Sequence, residues 1–566
     1  MVAYGAALTG GYVWDDKYFF VEYAWMDDFA SAWNTAFSPL FQSRSYVRPL
    51  PLLTFYLEIL AFGRNPAASH LINITLHVLC ACFVFVLARR ALIDSGKGEK
   101  AQNYAFMLAV VFLLHPALSE TVIWVSSRFD LMATLFMLLA LWVSALDSLR
   151  DWVRAVLLAL VFFLAAMCKE STAALPIVLA LYQIIRHGVV QGAGYGLSPA
   201  FSSRNIKAYA AMFVAGIGYL LVRQVVLGRA QELMQGSFMS SEHVARIFVS
   251  LTKYLQLTFI PFIGNAPQHS FYWGMESSLT DYLPQVICSL VLLLLLAFLL
   301  LRRSAFGFLL LAWLVGFLPV LHLVPMPIGN NIVHQRFMYF STAILVAFAP
   351  YAFARIDLSV AATKALRIAV VAYALLAIVM IRSVVPVWAS DLALWQWAVS
   401  MDPRSGEARE NLIWSQLEAG DYDAADHELE RLIEDGIPTT PNVAVNMGVA
   451  YYRRGDFDTA KYYLEMAYAN QGVLLLSQRS RLATNLAVTY ALSGDGAKAE
   501  VYIREALELD PHNHIAIGNY LALCSDQEID VSRFGKAELE RAESIRGWMK
   551  KLMEERNVHS LSCEGG

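Results

Sequence analysis

The sequence predicts an all-α protein in two parts, a polytopic bundle of transmembrane helices followed by an α-solenoid of helical repeats. Of its 566 residues, 57% are hydrophobic and 16% are charged, whereas a soluble domain carries about 25% charged residues. Residues 401–566 hold 17 basic and 28 acidic residues, a net charge of −11, which leaves +7 for the first 400 residues. This composition excludes a single soluble globule and indicates a membrane domain joined to an acidic soluble domain.

Apolar runs long enough to cross a bilayer, about 20 residues, occur throughout the first part. The first dozen residues are apolar and lack the charged start of a signal peptide, so we interpret them as the outer end of a first helix. With them, the bundle has about eleven spans. Residues 243–263 contain Lys253 and Pro261, and we expect an interfacial or re-entrant segment there. The long runs lie near residues 66–88, 104–124, 128–148, 207–227, 283–301, 305–323, 337–354 and 365–386, and two shorter ones near 153–168 and 171–186.

Basic clusters at the ends of several runs predict the orientation. If these clusters are cytoplasmic, as the positive-inside rule requires, the loops near residues 13–65, 115–128 and 324–336 and everything after residue 387 are external. We therefore predict a multi-pass inner-membrane protein with its acidic domain in the periplasm or an equivalent lumen. The predicted domains are a membrane domain over 1–387, a connector over 388–404 and a repeat domain over 405–566.

Three segments of the acidic domain share one pattern, in which a Gly-Asp pair is followed four residues after the Asp by an alanine. The Gly-Asp pairs begin at Gly420, Gly455 and Gly494, so the offsets are 35 and 39 residues. Each unit is typical of helix, turn and helix, and the tetratricopeptide repeat has a period of about 34. Such repeats form a curved solenoid that commonly takes an extended peptide. The alternative is a passive lid or spacer.

Several classes of protein and site are not indicated by the sequence. The six cysteines are scattered, with no C-x-x-C pair and no metal-ligand spacing, so they predict no disulfide framework and no zinc site. No basic arm or RNA-binding signature points to nucleic acid. No phosphate-binding glycine loop is present, so we expect an activated substrate that arrives already attached to lipid.

The first external loop contains adjacent carboxylates, Asp15 and Asp16. Two such groups at a membrane surface repel each other and are costly to desolvate, which favours a raised pKa and a role as base. A solvated acid pair is the alternative, and Asp27 and Asp28 form a second pair in the same loop. Arg48 follows in SYVRPLPLLTF, where a guanidinium can bind a lipid phosphate with two hydrogen bonds.

Further ionisable residues lie at or near the predicted outer ends of spans. Such groups are costly in a membrane unless they are paired or face a cavity, so they predict an outward-facing site for an anionic, lipid-linked substrate. Mutual salt bridges that stabilise the bundle are the alternative. These candidates are His77 (on one helical face with His70 and Asn73), His115, Glu120, Arg128, Asp130, Lys169, Glu170 and Arg336.

The serial order of these motifs resembles a known family. In chain order the motifs are WDD, RPL, NPAASHLINITLHVL, LLHPALSETVIWVSSRFDLMATLF, CKESTAALP and QRFMYF, and the repeats follow them. This order is similar to that of the transmembrane-and-tetratricopeptide-repeat O-mannosyltransferases and their bacterial relatives, which have the GT-C glycosyltransferase fold. The resemblance implies a polyprenyl-phosphate sugar donor, of the undecaprenyl or dolichyl type, and inversion at the anomeric carbon. It implies no other cofactor.

The resemblance also implies roles for single residues. Asp15 or Asp16 corresponds to the catalytic carboxylate, and Arg48, Arg128, Lys169 and Arg336 are candidates to hold the lipid phosphate. Two positions depart from the family pattern. Tyr-Arg-Pro-Leu is Val-Arg-Pro-Leu at 47–50, and Glu-Arg-Tyr is Gln-Arg-Phe at 335–337. The second change removes a carboxylate, and we expect no metal.

Three functions remain open at this level. The first is transfer of mannose or another hexose-type sugar to a Ser or Thr hydroxyl of an exported protein, which the repeats present. The second keeps the enzyme but transfers the sugar to a glycolipid or surface polysaccharide. The third is a non-catalytic membrane scaffold whose repeats recruit export or pilus machinery.

Overall fold

The computed structural model describes residues 2–21, 28–40, 46–192, 194–228, 240–272, 280–324, 331–437, 440–524, 531 and 534–558. Over these ranges the chain is helical and has no strand, only an isolated bridge between Ser270 and Asn331. It divides into two compact units, Met1–Asp402 and Pro403–Gly566. The predicted all-α fold, a helical membrane bundle followed by helical repeats, is confirmed.

The first unit contains sixteen α-helices within the described ranges. They are α1 (Asp15–Phe20), α2 (Phe29–Ala36), α3 (Pro49–Phe62), α4 (Pro66–Asp94), α5 (Ala101–Leu113), α6 (Ser119–Ile123), α7 (Arg128–Ala145), α8 (Asp151–Ala166), α9 (Leu175–Val190), α10 (Ser203–Leu227), α11 (Ser241–Phe259), α12 (Leu283–Leu301), α13 (Ala305–Phe317), α14 (Tyr339–Ala352), α15 (Val360–Val384) and α16 (Asp391–Met401).

Six helices of the described chain are long and apolar enough to cross a membrane. A seventh span results if the bent pair Gly98–Leu113 and Pro116–Ile123 is counted as one. Three more predicted spans are helices of 16, 13 and 14 residues, α8, α13 and α14, short for a bilayer core of about 30 Å. The protein is therefore a multi-pass membrane protein.

Two segments at the margins of the bundle differ from ordinary spans. The first dozen residues, interpreted above as the end of a helix, contain only a five-residue 3₁₀ helix, Gly5–Thr9. The segment 243–263, expected to be interfacial or re-entrant, lies largely in α11, which does not reach the hydropathy of a span. Lys253 and other polar residues on this helix explain its low hydropathy.

The centre of the bundle is α4, which packs against α5, α7 and α14. Its 29 residues make a helix about 43 Å long. Asn65 caps its N-terminus by accepting a hydrogen bond from the backbone N–H of Ala67. The candidate site lies beside the first turns of this helix.

The second unit consists of helix pairs, as predicted. The pairs are α17 (Gly406–Glu418) with α18 (Tyr422–Glu434), α19 (Pro441–Arg454) with α20 (Phe457–Ala469), α21 (Leu476–Leu492) with α22 (Gly496–Leu509), and α23 (His514–Leu523) with α24 (Lys536–Glu555).

The Gly-Asp pairs of the sequence have a physical role in three of the turns. Gly420, Gly455 and Gly494 have φ of +78°, +83° and +88°, a conformation that ends a helix at low cost only for glycine. The aspartate after each glycine caps the next helix, accepting a hydrogen bond from a backbone N–H three residues ahead at 3.1–3.2 Å. The repeated pair therefore encodes the end of one helix and the start of another.

The cysteines differ in one respect from the prediction. Cys80, Cys82, Cys168 and Cys288 are free thiols, but Cys524 in the second unit is disulfide-bonded, although the scattered spacing predicted no disulfide.

Candidate active site

Trp14 immediately precedes the two adjacent aspartates and has a strained backbone. Its φ of +53° lies in a region that bulky side chains rarely adopt. The backbone N–H of Trp14 donates to a carboxylate oxygen of Asp391 at 2.7 Å. Its indole stacks on Trp124 at 4.7 Å and meets Trp395 edge-on at 5.1 Å. These contacts hold the chain in position where α1 begins.

Asp16 is buried and fully engaged in hydrogen bonds. One carboxylate oxygen accepts from the backbone N–H of Ser126 at 2.7 Å and from the Ser126 hydroxyl, and the other accepts from the backbone N–H of Val13 at 3.3 Å. Burial raises the pKa of Asp16 to about 7, although the hydrogen bonds from Ser126 and Val13 lower it. Asp16 therefore joins the first loop to the segment before α7.

Asp15 is half-buried and makes no hydrogen bond or ion pair in the described part of the chain. Burial raises the pKa of Asp15 to about 6, and the positive charges of Arg336 and Arg48 oppose this rise. An unengaged carboxylate with a pKa near neutrality can accept a proton. The two adjacent aspartates therefore occupy different environments.

The positive charge of Arg336 acts on Asp15, and Arg336 is the predicted cation whose guanidinium has no carboxylate within ion-pair distance among the described residues. Its guanidinium lies over the ring of Trp124, 4.3 Å from the centroid, and 5.2 Å from the centroid of Phe337. Stacking on an aromatic face orients the planar guanidinium without using its N–H donors. These donors remain available to an anionic ligand.

Two other predicted cations, Arg48 and Lys169, are each paired with a carboxylate. Arg48 donates through two nitrogens to one oxygen of Glu170, at 2.8 and 3.1 Å. Lys169 pairs with Asp130 at 2.5 Å and lies 4.4 Å from the centroid of Phe337. A small cavity of about 20 Å³ is lined by Asp130, Lys169 and Arg336, among others. The structure thus brings Asp130, Lys169 and Arg336 together.

Arg128 is in a different environment from the other cations. It is fully buried and pairs with Glu58 at 2.5 Å. It also donates to the side-chain oxygen of Asn73 at 3.0 Å and to the carbonyl of Ser69 at 3.3 Å. This arrangement favours a structural role over the predicted contact with a lipid phosphate, because the guanidinium already has partners.

The two predicted histidines form hydrogen bonds that connect helices of the bundle. His77 bonds to the Tyr339 hydroxyl at 2.6 Å and to the carbonyl of Leu113 at 2.9 Å. His115 bonds to the carbonyl of Thr258 at 3.1 Å. These contacts join α4, α5, α11 and α14, and they do not place either histidine at Asp15.

Glu120 is a second buried carboxylate of the site, 2% exposed. One oxygen accepts from the backbone N–H of Gln335 at 3.3 Å, and the other has no hydrogen-bond partner in the described chain. Glu120 therefore lies next to Gln335. At that position the family pattern has a carboxylate instead of the glutamine.

Asp28, another acid of the first loop, does not belong to this cluster. Asp28 caps α2, accepting from the backbone N–H of Ser31 at 2.9 Å, and Asp27 lies outside the described residues. Within the described ranges, no group of three or more His, Cys, Asp or Glu side chains is arranged to hold a metal ion.

Two residues that support the site were not predicted from the sequence. Glu58, the partner of Arg128, is a single carboxylate in the apolar segment PLLTFYLEILAF, and such a residue needs a partner in a membrane. Asp391, the partner of Trp14, had no comparable signal, because its position in the predicted connector gives no indication of a contact with the first loop.

Fold and site together define a multi-pass helical membrane protein with an acid and a cation that interact electrostatically near the first turns of its central helix, and with helical repeats at its C-terminal end. The chain is 28% identical over 257 residues to protein O-mannosyl-transferase Tmtc1 of Drosophila melanogaster, covering 43% of this chain and 29% of that protein. It is 30% identical over 148 residues to human TMTC1, covering 25% and 16%, and 33% identical over 123 residues to mouse TMTC4, covering 20% and 16%.

The chain is therefore a homologue of the TMTC protein O-mannosyl-transferases, and the resemblance inferred from the order of motifs is confirmed. It spans less than a third of the length of these relatives. No protein-family model and no solved structure matches the chain.

Proposed function

We propose that this protein is an inverting glycosyltransferase that moves mannose or another hexose from a polyprenyl-phosphate carrier to a hydroxyl of an exported protein. The observation that carries the proposal is the electrostatic interaction of Asp15 with Arg336. Among the described residues, the Asp15 carboxylate has no hydrogen-bond partner, and the Arg336 guanidinium, which lies over the ring of Trp124, has no ion-pair partner. The names of the relatives support a sugar transfer to protein.

The mechanism follows from the chemistry of these two groups. The Asp15 carboxylate accepts the proton of the acceptor hydroxyl as its oxygen attacks the anomeric carbon. The bond from that carbon to the phosphate oxygen breaks on the opposite face, so the configuration inverts and polyprenyl phosphate leaves. Arg336 donates hydrogen bonds to the departing phosphate and stabilises its growing negative charge.

Two further cations, Arg48 and Lys169, lie near the same place, each beside a carboxylate. The charge of Arg48 acts on Asp15 even though Glu170 is its direct partner. Lys169 lies on the ring of Phe337, which also contacts Arg336. In this proposal Arg48 and Lys169 orient the donor phosphate, and Glu120 accepts a hydrogen bond from a hydroxyl of the donor sugar.

The proposal places the site and the repeats on the extracytoplasmic side of an inner membrane. The basic clusters at the opposite ends of the spans support this orientation. The disulfide of Cys524 supports it as well, because disulfides persist mainly in oxidising compartments. We further propose that the repeats bind the acceptor polypeptide.

The decisive experiment is intact-mass spectrometry of exported proteins from cells with the wild-type chain, Asp15→Asn, Asp28→Asn or no chain. Asp28 is a matched control, because it is an aspartate of the same loop with a capping role that asparagine preserves. We expect a hexose-sized mass on at least one exported protein with the wild type and with Asp28→Asn, and its loss in the other two strains. If Asp15→Asn retains the modification, the proposal is wrong.

A further inference from the structure

A second, larger cavity lies at the other end of the central helix. Its volume is about 750 Å³, and Leu92 and Gly96 near the end of α4 line it. Leu92 lies 23 positions after Ser69, the α4 residue beside the candidate active site, which is a distance of about 35 Å at 1.5 Å per residue. The cavity is therefore about one bilayer thickness away from Asp15 and is a separate site.

The walls of this cavity come from helices that border the lipid. Met107, Leu108 and Val111 of α5 form one wall, and Leu366 and Val370 of α15 form another. Only 22% of the apolar window of the span that contains α15 is buried inside the protein, so most of this helix is left for lipid. A volume of this size lies within the range of about 300–1,000 Å³ of ligand sites.

The rim of the cavity carries two lysines and two acids. Lys97 and Lys100 line it, together with Glu99 and Asp357. Lys97 is held by Asp357 and by the carbonyl of Ile356. Lys100 is exposed and makes no ion pair in the described chain.

Three further cations, Arg355, Lys364 and Arg367, lie in the segment whose residues Ile356, Asp357, Leu366 and Val370 line the cavity, although these three are not lining residues themselves. The cations of the two rim segments thus outnumber their acids. Basic pockets between transmembrane helices are suited to anionic lipid headgroups.

We propose that this cavity binds an anionic phospholipid. The phosphate is held at Lys100 and the cations of the α15 segment, and an acyl chain fills the apolar space between α5 and α15. The two helices touch directly at the Tyr104 and Thr363 hydroxyls, 3.1 Å apart. A bound lipid chain would stabilise the contact between α15 and the bundle. This site does not depend on the chemistry proposed for Asp15.

The test uses the purified full-length chain in detergent after removal of native lipid. The thermal unfolding midpoint and the mass of bound lipid are measured with phosphatidylglycerol, phosphatidylcholine or polyprenyl phosphate added. We compare wild type, the triple variant Lys100→Gln/Lys364→Gln/Arg367→Gln, and the control pair Arg302→Gln/Arg303→Gln, a basic cluster between α12 and α13 that lies outside the segments lining the cavity. Val111→Trp, which fills the apolar wall, is a second variant that keeps all charges.

We expect phosphatidylglycerol to raise the midpoint of the wild type and of the control pair by several degrees and to remain bound in the mass spectrum. The triple variant should lose at least tenfold in affinity for this lipid, and Val111→Trp should lose both effects. Equal stabilisation by phosphatidylcholine would overturn the proposal, as would an equal loss in the control pair. Binding of polyprenyl phosphate alone would also overturn it.

Discussion

The carboxylate of Asp391 accepts a hydrogen bond from the backbone N–H of Trp14 at 2.7 Å, across 377 positions of the sequence. Its other oxygen pairs with Lys17 at 2.5 Å. A residue in an unfavourable backbone region costs about 1–3 kcal/mol, and the contacts of Asp391 on both sides of Asp15 offset this cost at Trp14. The helix after the last span thereby determines where the proposed base lies.

This relationship predicts that Asp391→Asn lowers kcat more than it changes KM for the acceptor. The substitution removes the charge that pairs with Lys17 and weakens the bond to Trp14, so Asp15 is displaced. Small displacements of a catalytic group cost up to about 100-fold in rate. Steady-state kinetics of the purified variant measure the effect. Asp402→Asn is the control, because Asp402 accepts a hydrogen bond from the Tyr272 hydroxyl at 2.7 Å at the end of the same helix, and its kcat should stay within about twofold of wild type.

Replacing each of the two adjacent aspartates by asparagine should have different effects on activity. Asp15→Asn removes the proposed base, and loss of general base catalysis costs about 10²–10⁴-fold. Asp16→Asn keeps a side-chain oxygen for Ser126 and should retain most of the activity per folded molecule. Sugar transfer by purified protein, normalised to the folded fraction, distinguishes them. The assignment of the base to Asp15 is wrong if Asp16→Asn is the more damaging change.

The rate should depend on pH through Asp15. A carboxyl group must be ionised to accept a proton, and the pKa of Asp15 is raised by burial to about 6. The ratio kcat/KM should therefore be constant above this pH and fall about tenfold for each unit below it. Initial rates measured from pH 5 to pH 8 test this expectation. A rate that rises as the pH falls would show that the catalytic group acts as an acid.

The rate of sugar transfer should fall even when Arg336 is replaced by a residue that keeps the positive charge. Arg336→Lys retains a cation but loses the planar contact with Trp124 and the forked donors, so we expect a fall in kcat of at least tenfold. Arg336→Gln should lose about 100-fold or more, the effect of removing an oxyanion donor. Release of polyprenyl phosphate from the donor is the readout. Arg404→Gln, which changes an arginine in the second unit, is the control and should leave this release unchanged.

Arg128 should affect folding more than catalysis. Replacing it by Met leaves Glu58 as an unpaired buried charge, which costs about 3–5 kcal/mol. Arg128→Met should therefore lower the yield of folded protein, and the double variant Glu58→Gln/Arg128→Met should recover part of it. Size-exclusion chromatography in detergent measures the yield. Normal folding of Arg128→Met with complete loss of transfer would instead support the predicted phosphate contact.

Hydropathy and motif spacing predicted the helices and turns of this protein better than they predicted the contacts between them. The apolar runs are helices and the Gly-Asp pairs are turns, because span length and turn chemistry depend on neighbouring residues. The distinction between Asp15 and Asp16 could not be predicted, since it depends on the backbone at Trp14 and on a serine in another segment. Likewise, nothing local shows that Glu58 neutralises Arg128, or that Arg336 is the predicted cation without an ion pair among the described residues.

Helix α16 belongs to the unit that ends at Asp402, although it follows the last span and precedes the repeats directly. Its position matters for genetic dissection of the protein. A deletion that starts at residue 403 removes the repeats alone, whereas one that starts at 388 also removes Asp391 and Trp395, which hold Trp14. Two truncations fifteen residues apart would therefore report on different functions, and inactivity of the longer deletion would say nothing about acceptor binding.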